Sequence, residues 1–138
     1  MTTPNNRNAG VIQEFRDNEG RVGGRFEGAP VLLLTTKGAK TGMTRVHPMM
    51  YLPDGDRLLV FASKGGAPKH PDWYHNLVAN PEVTVEVGTE TYAARATVLT
   101  GDERDEKYAQ HAALYPGFAD YEKKTTRKIP VVALARNR

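Results

Sequence analysis

A chain of 138 residues, 25% charged and 39% hydrophobic, is sized for one compact core, which excludes a disordered tail and a protein with two cores. Its formal net charge of +3 is too mild for a nucleic-acid-binding tail but suits a small anionic ligand. No cysteine is present, so disulfides and thiolate chemistry are excluded; no apolar run reaches membrane length or looks like a secretory leader, and a soluble cytoplasmic protein is expected.

Residues 1–29 read as a helix followed by a flexible arm. Val11, Ile12 and Phe15 recur at helical spacing, and Gly20, Gly23, Gly24 and Gly28 then break regularity. Residues 30–138 read as a single barrel domain. Pro30 to Thr36 is an apolar, β-branched strand, Gly38 to Gly42 a turn, and Thr44 to Leu52 a second strand. Pro53-Asp54-Gly55-Asp56 forms a hairpin turn into a third strand, Leu58 to Ser63. Gly65, Gly66, Pro68 and Pro71 make a loop, and Asp72 is placed to cap a helix that ends near Ala79 before Asn80-Pro81. Val83, Val85 and Val87 alternate with polar residues, and a turn at Gly88 leads into Thr91 to Leu99. Asp102 is expected to cap a helix to Leu114, Tyr115-Pro116-Gly117 to close it, and Ile129 to Ala135 to form the last strand. The sum is a mainly β chain of about six strands with three helices. The hairpin connections make the sheet antiparallel, and their close spacing favours a small barrel that closes its own edges.

Four clusters are candidates for chemistry. Lys37-Gly38-Ala39-Lys40-Thr41-Gly42 with Arg45 gathers cations and glycines at one turn, where backbone N–H groups can approach an anion. It is not a phosphate loop, because Ala39 precedes Lys40 and a strand follows; a merely solvated turn fits the pattern equally simply. Phe61-Ala62-Ser63-Lys64-Gly65-Gly66 runs a strand out into a glycine turn that suits a ligand's polar edge. His70-Pro71-Asp72-Trp73-Tyr74-His75-Asn76-Leu77 holds the only tryptophan, which shares a helix face with Leu77 and reads equally well as a core anchor. His70 and His75 are five apart with no His-Glu-x-x-His pattern, so no metal is expected; His47 and His111 read as surface residues or hydrogen-bonded ones. Tyr115, Phe118 and Tyr121 recur every third residue, as a core stripe or as one wall of a pocket, and Pro116-Gly117 favours a loop-like lid.

Taken in order, Thr36-Lys37-Gly38-Ala39-Lys40-Thr41-Gly42, Arg45-Val46-His47-Pro48, Ala62-Ser63-Lys64-Gly65-Gly66, Pro71-Asp72-Trp73-Tyr74-His75-Asn76-Leu77 and Ala79-Asn80-Pro81 resemble the deazaflavin-dependent nitroreductase family of actinobacteria. Tyr115-Pro116, Tyr121 and Ile129-Pro130 extend the resemblance to about three quarters of the chain. It implies a split β-barrel that binds reduced coenzyme F420 and passes a hydride to an electron-poor acceptor such as a quinone, a nitroimidazole or an unsaturated lactone. By the same resemblance Ala39, Lys40 and Thr41 meet the cofactor's phosphate and oligoglutamate tail. Arg45, Val46, His47, Pro48, Met49 and Met50, with Phe61, Ala62, Ser63 and Lys64, line the ring. Asp72, Trp73, Tyr74, His75 and Asn76 hold its far side and ribityl chain. Phe118 and Tyr121 bound the acceptor. The family's best-known nitroreductase has a tyrosine at the position of Phe118, which lacks a hydroxyl here, so Tyr115, Tyr121 or solvent is left to supply a proton. A barrel holding flavin mononucleotide and a non-catalytic deazaflavin carrier are the alternatives. Membrane association is expected to be weak at most, and a homodimer is compatible with related barrels.

Overall fold

The computed structural model describes residues 6–23, 30–63, 69–125 and 128–137. The expected glycine turn with Lys64, Gly65, Gly66 and Pro68, and the arm's Gly24 and Gly28, lie outside the described residues. The described chain runs α1 (Asn6–Asp17), β1 (Val31–Lys37), β2 (Thr44–Met50), β3 (Leu52–Asp54), β4 (Arg57–Phe61), α2 (Asp72–Ala79), β5 (Glu82–Val87), β6 (Glu90–Val98), α3 (Gly101–Leu114), α4 (Gly117–Lys124) and β7 (Val131–Arg136).

All strand pairs are antiparallel and form one sheet in the order β2-β1-β5-β6-β7-β4-β3. The sheet curls until β2, at one edge, lies against β4 near the other. Period-two alternation gives each strand an inner and an outer face. On β1, Leu32 and Leu34 point inward to meet Val60, Val83, Val85, Ala94, Val132 and Leu134, and α2 plugs this interior with Trp73 and Leu77. On the outer face of β1, Val31 and Leu33 pack with Phe15 of α1 and with Val46 and Met50 of β2. A third apolar layer joins Leu59 and Phe61 of β4 and Val131 and Ala133 of β7 to Tyr108 of α3, with Phe118 and Tyr121 of α4 beside it.

Two expectations change. The second strand is not continuous to Leu52. Tyr51 still donates its N–H to Pro30 O at 3.2 Å, but beyond it the chain leaves β1 and pairs with β4, which makes a seventh strand. Helix α4 is a fourth helix where a loop was expected. Proline breaks a helix interior but has no N–H to lose in a first turn, so Pro116 starts α4. The caps also shift by a residue or two: Pro71 and Thr100 precede α2 and α3, and Asp72, Asp102 and Glu103 fall in first turns, where a carboxylate complements the helix dipole.

Salt bridges fasten the outer elements. Arg16 of α1 reaches Glu86 of β5 at 2.9 Å. Asp54 takes Arg57 at 2.8 Å and Lys107 of α3 at 3.0 Å, and Arg57 also holds Glu103 at 2.7 Å. At Gly20 (φ 94°) an added Cβ would sit 2.7 Å from the Cα of Gly88, so only glycine permits this approach between the end of α1 and the β5–β6 turn.

Candidate functional site

The β1–β2 turn is built by its own backbone and braced by α2. Gly38 N–H donates to Met43 O at 2.7 Å, Gly42 N–H to Gly38 O at 3.0 Å, and Met43 N–H to Thr41 Oγ1 at 3.2 Å. Gly42 sits at φ 71°, a left-handed conformation that suits glycine. Asn76 of α2, nearly buried, accepts from Ala39 N–H at 3.0 Å and donates to Thr36 Oγ1 at 3.3 Å, and Asn80 donates to Lys37 O at 3.4 Å. Asn76 therefore fixes the turn against the helix rather than pointing to solvent. Lys37, Lys40 and Arg45 gather around this braced turn, and none of them has an ion-pair partner among the described residues. By contrast, the acidic side chains Asp54, Glu82, Glu86, Glu90, Glu103 and Asp105 are all paired with other cations.

From the turn, β2 leads along the sheet edge. Its register sets Arg45 opposite Thr36, His47 opposite Leu34 and Met49 opposite Leu32, so these three share the inner face with Tyr51 beyond them. His47 is half-buried, and its Nδ1 has no partner among the described residues. Burial holds its pKa below the usual imidazole range; Asp72 opposes that shift, and Arg45 adds to it. Arg45, His47 and Asp72 thus share one electrostatic neighbourhood. Val46 and Met50 turn the other way and pack on α1, and Pro48 alternates with them opposite Leu33, so any contact these three make with a ligand in the barrel runs through their backbone. Because β2 is an edge strand, that backbone has one unpaired side.

Ala62 and Ser63 are buried where β4 runs out, with Ala62 N–H donating to Pro130 O at 3.0 Å. Trp73 is 7% exposed and belongs to the inner core. Asp72 and His75 are exposed, Tyr74 is half-buried, and His70 lies 4.7 Å from Tyr74 and 5.8 Å from His75 by ring centroids. The two histidines meet edge-on, with their planes 64° apart.

A second gathering joins the Tyr115, Phe118 and Tyr121 stripe to Phe61 and His111, a meeting that the sequence did not indicate. Phe61 stacks on His111 at 4.0 Å with planes 10° apart. Phe118 meets the same imidazole edge-on at 4.3 Å, and Tyr115 lies 5.0 Å away. Phe118 also contacts Tyr121 at 5.1 Å, and Tyr108 OH donates to Phe118 O at 2.6 Å, tying α3 to α4. The expectation of a surface or hydrogen-bonded His111 is overturned: its exposure is 0%, and neither ring nitrogen has a partner among the described residues. Burial pushes its pKa down to about 4, so the ring is neutral at pH 7. A neutral imidazole offers one donor and one acceptor, and leaving a buried polar group unmet costs about 1–3 kcal/mol. Tyr51 joins this wing to the barrel: burial, with Tyr115 nearby, raises its pKa, and it lies within electrostatic reach of Tyr92.

The comparisons with known proteins cover nearly the whole chain. A family model described as F420H(2)-dependent quinone reductase matches residues 9–136. An F420H(2)-dependent quinone reductase of Mycobacterium tuberculosis is 41% identical over 128 residues, which are 88% of this chain and 85% of the relative. Among solved structures, one described as an F420-H2 dependent reductase has a TM-score of 0.70 at 42% identity, covering 76% of this chain and 93% of its own. Another, described as a domain-swapped dimer, has a TM-score of 0.72 at 38% identity and covers 91% and 92%.

Proposed function

Because the chain belongs to the F420H(2)-dependent quinone reductase family, we propose that its electron acceptor is a quinone-class molecule seated against Tyr115, Phe118 and Tyr121. The protein is a deazaflavin-dependent oxidoreductase of the split-barrel fold, with reduced coenzyme F420 as hydride donor. The observation that carries the placement of the cofactor's anionic end is the set of cations Lys37, Lys40 and Arg45, unpaired among the described residues, at a turn rigidified by Asn76.

The residues fit the cofactor's chemistry. A phosphate and a glutamate tail need countercharge, and the braced turn leaves its cations free to provide it. The inner face of β2, with His47 and Met49, leads from that turn toward Tyr51 and the α3–α4 wing, a course suited to a planar ring. When bound, the deazaflavin supplies the hydride from its ring carbon; the protein's own work is to orient, neutralise and exclude water. Arg45 and Lys40 would hold the anionic end, Asp72 and His75 would meet the polar chain at the exposed end of α2, and Ser63 would face the ring's polar edge. A neutral His47 beside the ring adds no cation to the apolar interior. Tyr108 OH is committed to Phe118 O, so Tyr115 and Tyr121, which flank Phe118 along the wing, are the hydroxyls left to deliver a proton to a reduced quinone oxygen. A carbon ring at Phe118 suits a flat, apolar acceptor. The proposed compartment is the cytoplasm; no helix among the described residues is long and apolar enough to cross a membrane.

The test is a fluorescence titration of F420 followed by turnover. Low-micromolar or tighter binding, with oxidation of F420H2 by a naphthoquinone, is expected. Binding without turnover by any quinone or enone would leave a carrier, and a yellow purified protein that ignores F420 would point to a flavin barrel instead.

A further inference from the structure

His111 poses a question that packing does not answer. Its ring is enclosed by Phe61, Phe118 and Tyr115, a shell in which phenylalanine would fill a similar volume without two unmet nitrogens. Buried polar atoms are nearly always paired, and an orphan in a folded protein calls for an explanation. Two of the enclosing rings are half-exposed. Phe118 also stands in the first turn of α4, an eight-residue helix in which no residue is buried. Gly117, next to it, has open space where a Cβ would be. Displacement of the Phe118 ring is therefore a short route by which a ligand could reach the imidazole.

We propose that His111 is a concealed acceptor-binding residue: when a flat carbonyl compound displaces the Phe118 ring, it takes that ring's place, edge-on to Phe61 and beside the tyrosines, and accepts a hydrogen bond from the imidazole N–H through its carbonyl oxygen. This rests on the acceptor pocket assigned above and adds a buried polar anchor to the half-exposed tyrosines. The ligand class follows from the shell. Rings on several sides select an aromatic or quinonoid plane, and a neutral donor selects a carbonyl oxygen rather than a carboxylate. The hydrogen bond the imidazole lacks within its shell of rings would be made only by such a ligand, so specificity against non-carbonyl planes follows.

The experiment has two independent arms. In the first, the cofactor-free protein with nitrogen-15-labelled histidine is titrated with a naphthoquinone and the His111 ring resonances are followed. A saturable shift is expected, and a hydrocarbon of the same shape should give a smaller one. In the second, His111→Phe and His111→Gln are compared with the wild type. His111→Phe should keep F420 binding within twofold, raise the melting temperature, and raise the quinone KM at least tenfold with a smaller change in kcat. His111→Gln, which retains an N–H donor, should recover part of that loss. Should the His111 signals stay still at saturating quinone, or should the quinone KM of both variants stay within twofold of the wild type, the proposal is overturned. A wild type that shows the resonance shift but never oxidises F420H2 with a quinone would refute the assigned function while leaving His111 as a carbonyl-binding residue.

Discussion

At the β1–β2 turn the polar groups that leave solvent find partners: Asn76 satisfies Ala39 and Thr36, Asn80 satisfies Lys37 O, and Thr41 satisfies Met43. At the α3–α4 wing the arrangement is reversed, with His111 enclosed by rings and both of its nitrogens unmet among the described residues. The first region spends its hydrogen bonds on rigidity and leaves Lys37 and Lys40 exposed and Arg45 half-buried, all three without an ion-pair partner among the described residues. The second keeps an apolar interior and holds a polar group unsatisfied within it. A rigid cationic rim is suited to a large anion that always arrives in the same form, and a deformable aromatic pocket to acceptors that differ in shape.

Removing the rim's charges should give the largest effect. Replacing Lys40 and Arg45 together by alanine should weaken F420 binding about 100-fold, since each charge-assisted contact is worth about 1.5 kcal/mol. Raising the salt should weaken wild-type binding but change the double variant little, because exposed charges are screened. A fluorescence titration at two ionic strengths reads both, and equal salt dependence in the two proteins would break the contrast between the regions.

Acid should act on the second region. His111 has a folded pKa near 4, below the ordinary value of 6.5, so the unfolded chain binds the extra proton between those values. Its contribution to stability is complete above about pH 6.5 and is lost as pH falls toward 4, an effect of the order of 3 kcal/mol. His47 is shifted in the same direction. Melting temperatures from pH 7 to 4.5 should fall in the wild type, and His111→Phe should flatten much of that fall.

The smallest effect should come from the brace. Asn76→Ala deprives Ala39 N–H and Thr36 Oγ1 of partners and should cost about 1–2 kcal/mol of stability in chemical denaturation. It should also weaken F420 binding severalfold while leaving the quinone KM unchanged. A change in KM instead would show that the two regions are not separable.

The turn was legible in the sequence because its determinants are local: Lys37 to Gly42 and Arg45 lie within nine residues, and a hairpin keeps neighbours together. The strand pattern of Val83, Val85 and Val87 was legible for the same reason, since alternation is a property of the chain alone. The wing was not. Phe61, His111, Tyr115 and Phe118 meet only after β4 pairs with β7 and α3 packs across them, contacts that no spacing encodes. Pro116 misled because a proline that ends one helix can also begin the next, and only the path of the following residues decides between them. Trp73 as a core anchor was one of two even readings, and the side chain does join the inner core beside Leu77.

Tyr51 occupies the single residue between β2 and β3, and beyond it Asp54 is anchored to Lys107 on the helix that bears His111. The cationic rim and the acceptor wall are therefore joined through one strand end and one ion pair. A link that narrow lets the wing deform without disturbing the rim, so product-inhibition patterns should show that either partner can bind first; a compulsory order would show that the two regions are coupled.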